Sequence, residues 1–248
     1  MKTAAVVLTA ILASGALQAQ TAPRDPAAIL AATREALGGE KKLTSVKTIV
    51  ATGRTQQVRG NNLVPMEFEI SIELPDKYLR KNEIPAQESG PSTEGFNGEA
   101  LIQTKAPTVK QDFARLMLGM FASSFAGYPL TFTYVGQAEA PQGKADVLEA
   151  KGAPNVTMRI FIAQDSHLPI MVSWQAPPPP SRGGPPPAPG APPPAPQESR
   201  IYFADYREVD GMKWPFRLRR AQGADTVEET TFDRFRINSR IDAKKFQP

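Results

Sequence analysis

The chain has 248 residues, no cysteine, one histidine, 25 prolines and a formal net charge of +4. The lack of cysteine excludes disulfides, thiol nucleophiles and thiolate metal sites together, so a domain of this size must hold itself by its apolar core. Charges of both signs are spread along the chain without a basic block, which argues against nucleic-acid binding and leaves only a mild bias toward anionic surfaces.

Residues 1–19 combine Lys2, an apolar run from Ala4 to Leu17, and Ala19 before Gln20. That is the pattern of a secretory signal cut after Ala19. A run of about 14 residues is too short to span hydrocarbon, and no cysteine follows it to carry a lipid anchor. Residues 20–248 are therefore expected as one exported, soluble, periplasmic domain.

Asp25-Pro26 places an N-cap and a first-turn proline before Ala27 to Leu37, and Gly38-Gly39 closes the segment as a C-cap. Ile29, Leu30, Thr33 and Leu37 fall on one side of the resulting short amphipathic helix. From Val46 the period changes to two. In Pro65 to Leu74, Met66, Phe68, Ile70, Ile72 and Leu74 share one face, while Glu67, Glu69, Ser71 and Glu73 share the other. Similar runs are Val46 to Arg59, Lys77 to Ile84, Ala100 to Thr104, Leu130 to Gln137, Ala145 to Ala150, Val156 to Ala163, Leu168 to Gln175, Arg200 to Val209, Lys213 to Arg220 and Thr226 to Phe235. About eleven strands with short turns predict a mainly β protein with a few helices (α+β), built on one strongly curved antiparallel sheet or barrel.

Val109 to Ala126 interrupts the strands with Phe113, Leu116, Met117, Met120, Phe121 and Phe125 at helical spacing, and Asp112 is a candidate cap. Ordinary core over a barrel mouth gives this pattern. So does a movable lid, since methionine adapts to varied apolar ligands and Gly119 softens a helix. Pro177 to Pro196 holds 12 prolines in 20 residues with Gly183, Gly184 and Gly190. It cannot join a sheet, and between two strands it reads as an exposed flexible loop inserted in one domain. Downstream, Tyr202 to Leu218 reads as two aromatic-rich strands joined at Asp210-Gly211, the pair that suits a two-residue hairpin turn.

Catalytic constellations are missing from this pattern. The single histidine, His167, lies in Asp165-Ser166-His167-Leu168-Pro169, a turn between Ile162 and Ile170. Adjacent residues on a tight turn cannot converge as nucleophile, base and orienter. Glu67, Glu69 and Glu73 form a row of the kind that keeps a sheet face solvated. Glu228 and Glu229 point to opposite faces of their strand and do not pair. With no glycine-rich phosphate loop or zinc spacing either, neither an enzyme, a metal site nor a cofactor is expected.

The aromatic strand, Asp210-Gly211 and Trp214-Pro215-Phe216 resemble the C-terminal signature of LolA-like periplasmic lipoprotein carriers and outer-membrane lipoprotein-sorting proteins, within the wider superfamily that includes LolB and RseB. Ala36-Leu37-Gly38-Gly39 followed by Leu43, Val46-Lys47-Thr48 and Gly53 is similar to their N-terminal pattern. Gly95-Phe96-Asn97-Gly98 resembles their tight turn before a strand, here without the tryptophan that often follows. Asp165 to Pro169 matches their Asp-x-x-x-Leu-Pro turn, and Phe232 to Arg236, Asn238, Ile241-Asp242 and Phe246 look like their closing strand and tail. The resemblance implies an incomplete antiparallel barrel around an apolar cavity covered by short helices. It also implies a use, shielding the acyl chains of a lipoprotein or another lipid in transit toward the outer membrane. Inner-membrane donor and outer-membrane acceptor proteins would be partners, with transient membrane contact only. The alternative on the same fold is a non-catalytic envelope sensor or scaffold that binds a protein partner, in the manner of MucB/RseB-like regulators. Candidate cavity or lid residues are Phe113, Leu116, Met117, Met120, Phe121 and Phe125 on the helix, with Phe68, Ile70 and Ile72 on the facing strand. A filled interior would show the same pattern.

Overall fold

The structure, a computed structural model, describes residues 24–60, 62–85, 90–103, 108–124, 129–140, 143–152, 156–177 and 195–247. The expected signal segment, 1–19, lies outside them, as do Phe125 and residues 178–194 of the proline-rich tract. In chain order come α1 (Pro26–Leu37), α2 (Glu40–Ser45), β1 (Thr48–Arg59), β2 (Asn62–Glu73), β3 (Lys77–Glu83), β4 (Ser92–Asn97), β5 (Ala100–Ile102) and α3 (Thr108–Phe121). After them follow β6 (Leu130–Ala140), β7 (Gly143–Gly152), β8 (Val156–Ala163), β9 (Pro169–Ala176), β10 (Gln197–Val209), β11 (Met212–Gln222) and β12 (Asp225–Ile237), then a 3-10 turn, Ala243–Phe246.

All these strands form one antiparallel sheet in the order β5-β4-β3-β2-β1-β12-β11-β10-β9-β8-β7-β6. The sheet is open, because β5 and β6 at its two edges do not pair with each other. It is also curled. Helix α3 packs on β4, second in the order, and on β8, tenth in the order. In a flat sheet those strands would stand about 38 Å apart at ~4.8 Å per strand, whereas a helix is only about 10–12 Å across. The same curl brings β11 and the edge strand β6 against α1.

Local chemistry sets the elements. The side chain of Asp25 accepts from Ala27 N at 3.0 Å and Pro26 opens α1, whose Leu30, Thr33 and Leu37 are buried. Asp210 and Gly211 adopt φ of 53° and 71° between the paired Val209 and Met212, the positive pair that a two-residue hairpin needs. The proline-rich tract leaves and re-enters the sheet at one cross-strand pair, Ala176 and Gln197. It is thus an insertion in the β9–β10 hairpin. The tail motif is structural: Asn238 accepts from Lys47 N at 2.7 Å, Asp242 caps the final turn, and Phe246 is buried against Leu79 and Ile102.

Three expectations need correction. Of the tight turn expected at Gly95-Phe96-Asn97-Gly98, the first three residues belong to the strand Ser92–Asn97, and the turn lies at Gly98-Glu99. Helix α3 stops at Phe121 instead of reaching Ala126: the Ala122 N–H still gives to Leu118 O at 2.9 Å, but Ala122 itself turns to φ 48°, where a right-handed helix cannot continue. Asp112 does not cap α3. It sits in the second turn and pairs with Arg115 at 2.8 Å.

Candidate functional site

The inward residues of the strands alternate with outward ones, so the concave face of the curled sheet is a continuous apolar surface. From β2 come Phe68, Ile70 and Ile72, and from later strands Phe203, Trp214, Phe232 and Phe235, all buried. Helix α3 lies on this surface and supplies Phe113, Leu116, Met117, Met120 and Phe121 to the same cluster. The structure therefore brings together eight of the nine expected cavity or lid residues, and the ninth, Phe125, is not among those described. Their contacts are close-packed. Phe113 meets Phe96 edge-on at 5.2 Å, Phe121 meets Trp214 edge-on at 5.5 Å, and Phe68 meets Phe232 edge-on at 5.4 Å.

Among the described residues a hollow lies near each end of the helix. A cavity of about 280 Å³ lies at the C-terminal end, walled by Leu43, Val46, Leu74, Pro75 and Phe121, with Arg34, Glu40 and Lys47 at its polar side. Arg34 donates to Ala122 O at 3.3 Å and pairs with Glu40, which ties the end of α3 to α1 and α2.

The second cavity, about 240 Å³, lies beside the N-terminal half of α3. Ile70, Val109, Phe113, Leu116, Leu218 and Phe232 form its apolar wall, but Tyr78, Arg80, Asn82, Glu94, Asp112, Arg220 and Glu228 also line it. The sheet register makes this cluster. Glu228 on β12 is cross-strand from Gln57 on β1 and from Arg220 on β11, and Arg80 on β3 is cross-strand from Glu94 on β4. Arg80 donates from Nε to Asn82 at 2.8 Å, stands 3.6 Å from Glu228 and lies 5.0 Å over the Phe68 ring. Glu228 accepts from Gln57 at 3.0 Å and from Thr230 at 3.2 Å. One oxygen of Asp112 takes Arg115 at 2.8 Å and lies 3.8 Å from Arg220. Arg115 covers the Trp174 ring at 4.3 Å.

Burial raises the Glu228 carboxyl, but the charges of Arg80 and Arg220 and the hydrogen bonds from Gln57 and Thr230 outweigh it and hold the group below the usual carboxylate range. Burial pushes the Tyr78 hydroxyl up to about 12, against the lowering charge of Arg80. The expected hollow is thus apolar where the helix fills it, while the space that stays open has a charged wall.

Sequence reasoning did not find that wall. One signal was present: Glu228 is in phase with Thr230 and Phe232, which are buried. The other candidate residues of the sequence pattern keep to turns and to the sheet's charged face. His167 is exposed at φ 56°, and Asp165 and Ser166 bond to backbone N–H groups of their own turn. Glu73 pairs with Lys77 at 2.7 Å and Glu69 pairs with Lys245. Among the described residues no three histidine or carboxylate side chains are grouped to hold a metal ion, and no helix is long and apolar enough to cross a membrane.

An open, curled antiparallel sheet with helices on its concave face is the LolA-like fold, and the chain has it. Three solved structures are similar over nearly their whole length. A LolA superfamily protein from Nitrosomonas europaea matches with a TM-score of 0.56 and 12% identity, over 91% of this chain and 99% of that one. A DUF1329 family protein from Desulfovibrio piger matches with a TM-score of 0.54 and 8% identity, over 90% and 98%. An outer membrane lipoprotein-sorting protein domain from Vibrio parahaemolyticus matches with a TM-score of 0.52 and 9% identity, over 90% and 97%. At such identities the likeness is one of fold. No family model matches the sequence, and no curated protein matches it.

Proposed function

We propose that the protein is a periplasmic carrier that shields the acyl chains of a lipoprotein or another lipid in transit toward the outer membrane, with α3 as the element that yields to the cargo. The observation that carries this reading is the helix on the concave face. An apolar hollow in an open sheet is occupied by one helix, whose Phe113, Met117 and Phe121 stand where hydrocarbon would. Each methylene taken from water is worth about 0.8 kcal/mol, so a cargo chain that replaced these side chains would recover what their removal costs. Methionines at 117 and 120 suit a surface that must repack. The described polar ties that join α3 to other elements are few: Arg34 to Ala122 O, Arg220 to Asp112, and Lys110 to Glu99 at 2.8 Å.

A second reading, an envelope scaffold that binds a protein partner, is favoured by the same packing seen from the other side. The two hollows, about 240 and 280 Å³, are smaller than the ~300–1,000 Å³ of ordinary ligand pockets. A sheet that never opens would look like this. Met117→Asp separates the readings. The carrier loses uptake of offered phospholipid or lipopeptide while its β-rich circular dichroism persists, whereas loss of the fold together with uptake would make the helix plain core.

A further inference from the structure

A charged wall is an unexpected lining for a hollow that holds only hydrocarbon, because each buried charge gives up water and needs complete partners in return. In the cavity beside the N-terminal half of α3 the partners are incomplete. The Arg220 side chain, 30% exposed, makes no hydrogen bond among the described residues, and its ion pair, at 3.8 Å, is with an Asp112 oxygen that Arg115 already holds at 2.8 Å. Glu94 lines the same cavity from a strand five places away in the sheet, and makes neither a hydrogen bond nor an ion pair among the described residues. Charge-assisted hydrogen bonds ordinarily close to about 2.7–2.9 Å. The chamber therefore offers guanidinium donors, at Arg220 and at the buried, unpartnered Nη2 of Arg80, and a carboxylate acceptor at Glu94, whose charge already acts on Arg220.

The balance of charge selects the guest. With Arg115 behind Asp112, three arginines (Arg80, Arg115, Arg220) stand with three carboxylates (Glu94, Asp112, Glu228). A guest with net charge would upset that balance in a space only partly open to water, and a hydrocarbon would leave these groups unmet. A zwitterion meets both. At about 240 Å³ the cavity exceeds the ~150 Å³ that holds a benzene ring, which is room for a head group and the first part of its tail, not for whole acyl chains.

We propose that this cavity is the head-group site for a zwitterionic lipid that carries a phosphate and a primary ammonium. The phosphate oxygens accept from Arg220, the ammonium donates to Glu94, and the start of the apolar part runs over Val109, Phe113 and Leu116. The inference rests on the carrier reading and gives it a cargo class.

The test uses the mature protein incubated with vesicles of phosphatidylethanolamine, phosphatidylcholine or phosphatidylglycerol, or with a triacylated lipopeptide, all with matched chains, and read by native mass spectrometry. The ethanolamine lipid is expected to bind about tenfold or more tighter than the choline lipid, which keeps the phosphate but has no N–H to donate. Glu94→Gln removes that preference, Arg220→Gln weakens both phosphates, and Glu229→Gln, on the outer face of the same sheet, changes neither. Thermal melts check that the isosteric Glu94→Gln stays folded. Preference for the glycerol lipid, increased by Glu94→Gln, would overturn the proposal in favour of an anionic head. Equal binding of every class, indifferent to Glu94 and Arg220, would also overturn it and leave the carrier reading standing. Failure to bind any of the four would remove both.

Discussion

Gly119 of α3 lies flat against the ring of Phe203 on β10, so closely that a Cβ on the glycine would stand 2.0 Å from Phe203 Cζ. The helix rests on the sheet at the one residue of its second half that has no side chain. Its glycine is a packing requirement, where the sequence had suggested a softening of the helix. Gly119→Ala is therefore expected to destabilise the protein by about 1–3 kcal/mol through overpacking, despite the roughly 1 kcal/mol by which alanine favours a helix. In the double variant with Phe203→Leu part of that loss returns. Denaturant midpoints of the two singles and the double measure it, and strictly additive effects would contradict the contact.

Stability at the pH extremes should follow two residues of the charged cavity. The unfolded chain releases a tyrosine proton near pH 10, while burial holds the Tyr78 proton up to about 12 in the folded state. The folded state then binds the extra proton between those values, and stability falls on the order of 2 kcal/mol as pH rises from 10 to 12. Tyr78→Phe flattens that part of the curve. Glu228 acts at the other end, since its folded value is depressed. Its contribution is complete above about pH 4.3 and is lost as pH falls through the depressed value, so Glu228→Gln should be less stable at neutral pH but lose less on acidification.

Both tryptophans of the chain touch α3: Trp174 beneath Arg115 at 4.3 Å, and Trp214 at the edge of Phe121 at 5.5 Å. If the helix yields to cargo, intrinsic fluorescence must respond. Addition of lipid vesicles is expected to shift the emission, and Trp174→Phe and Trp214→Phe assign the change to the middle and the C-terminal end of the helix. A spectrum unchanged at saturating lipid would mean that α3 stays in place.

The proline-rich insertion should be dispensable for folding, because its flanking strands pair directly at Ala176 and Gln197. Replacing residues 178–194 with Asn-Gly should leave the β-sheet signal intact and leave stability unchanged or higher by up to about 2 kcal/mol, the entropy of closing the longer loop. A variant that fails to fold would show that the tract supports the sheet.

Most of the sheet was legible in the sequence because its strands bury one face each. Phe68, Ile70 and Ile72 announce their side by alternation, and Asp210-Gly211 announces its turn by the φ values that only a few residue types accept. Ser92–Asn97 was hidden because Gly95 and small polar residues carry little strand preference, and α2 was hidden because six residues show less than two turns of period. The charged cavity was hidden for a different reason. Arg80 on β3, Asp112 on α3 and the Arg220–Glu228 pair of the β11–β12 hairpin come from three places far apart in the chain, and only the register of β1, β12 and β11 and the curl of the sheet bring them together. A lone inward glutamate on β12 hints at a partner without naming it.

Whether the concave face takes acyl chains when α3 yields is decided by mass-spectrometric lipid analysis. The mature protein would be purified gently from a bacterial periplasm beside a folded Phe121→Asp control. Acyl lipid close to one per chain is expected on the wild type and little on the control. A wild-type protein free of lipid, and unable to take up phospholipid or lipopeptide when offered, would contradict it and leave a partner-binding scaffold in its place.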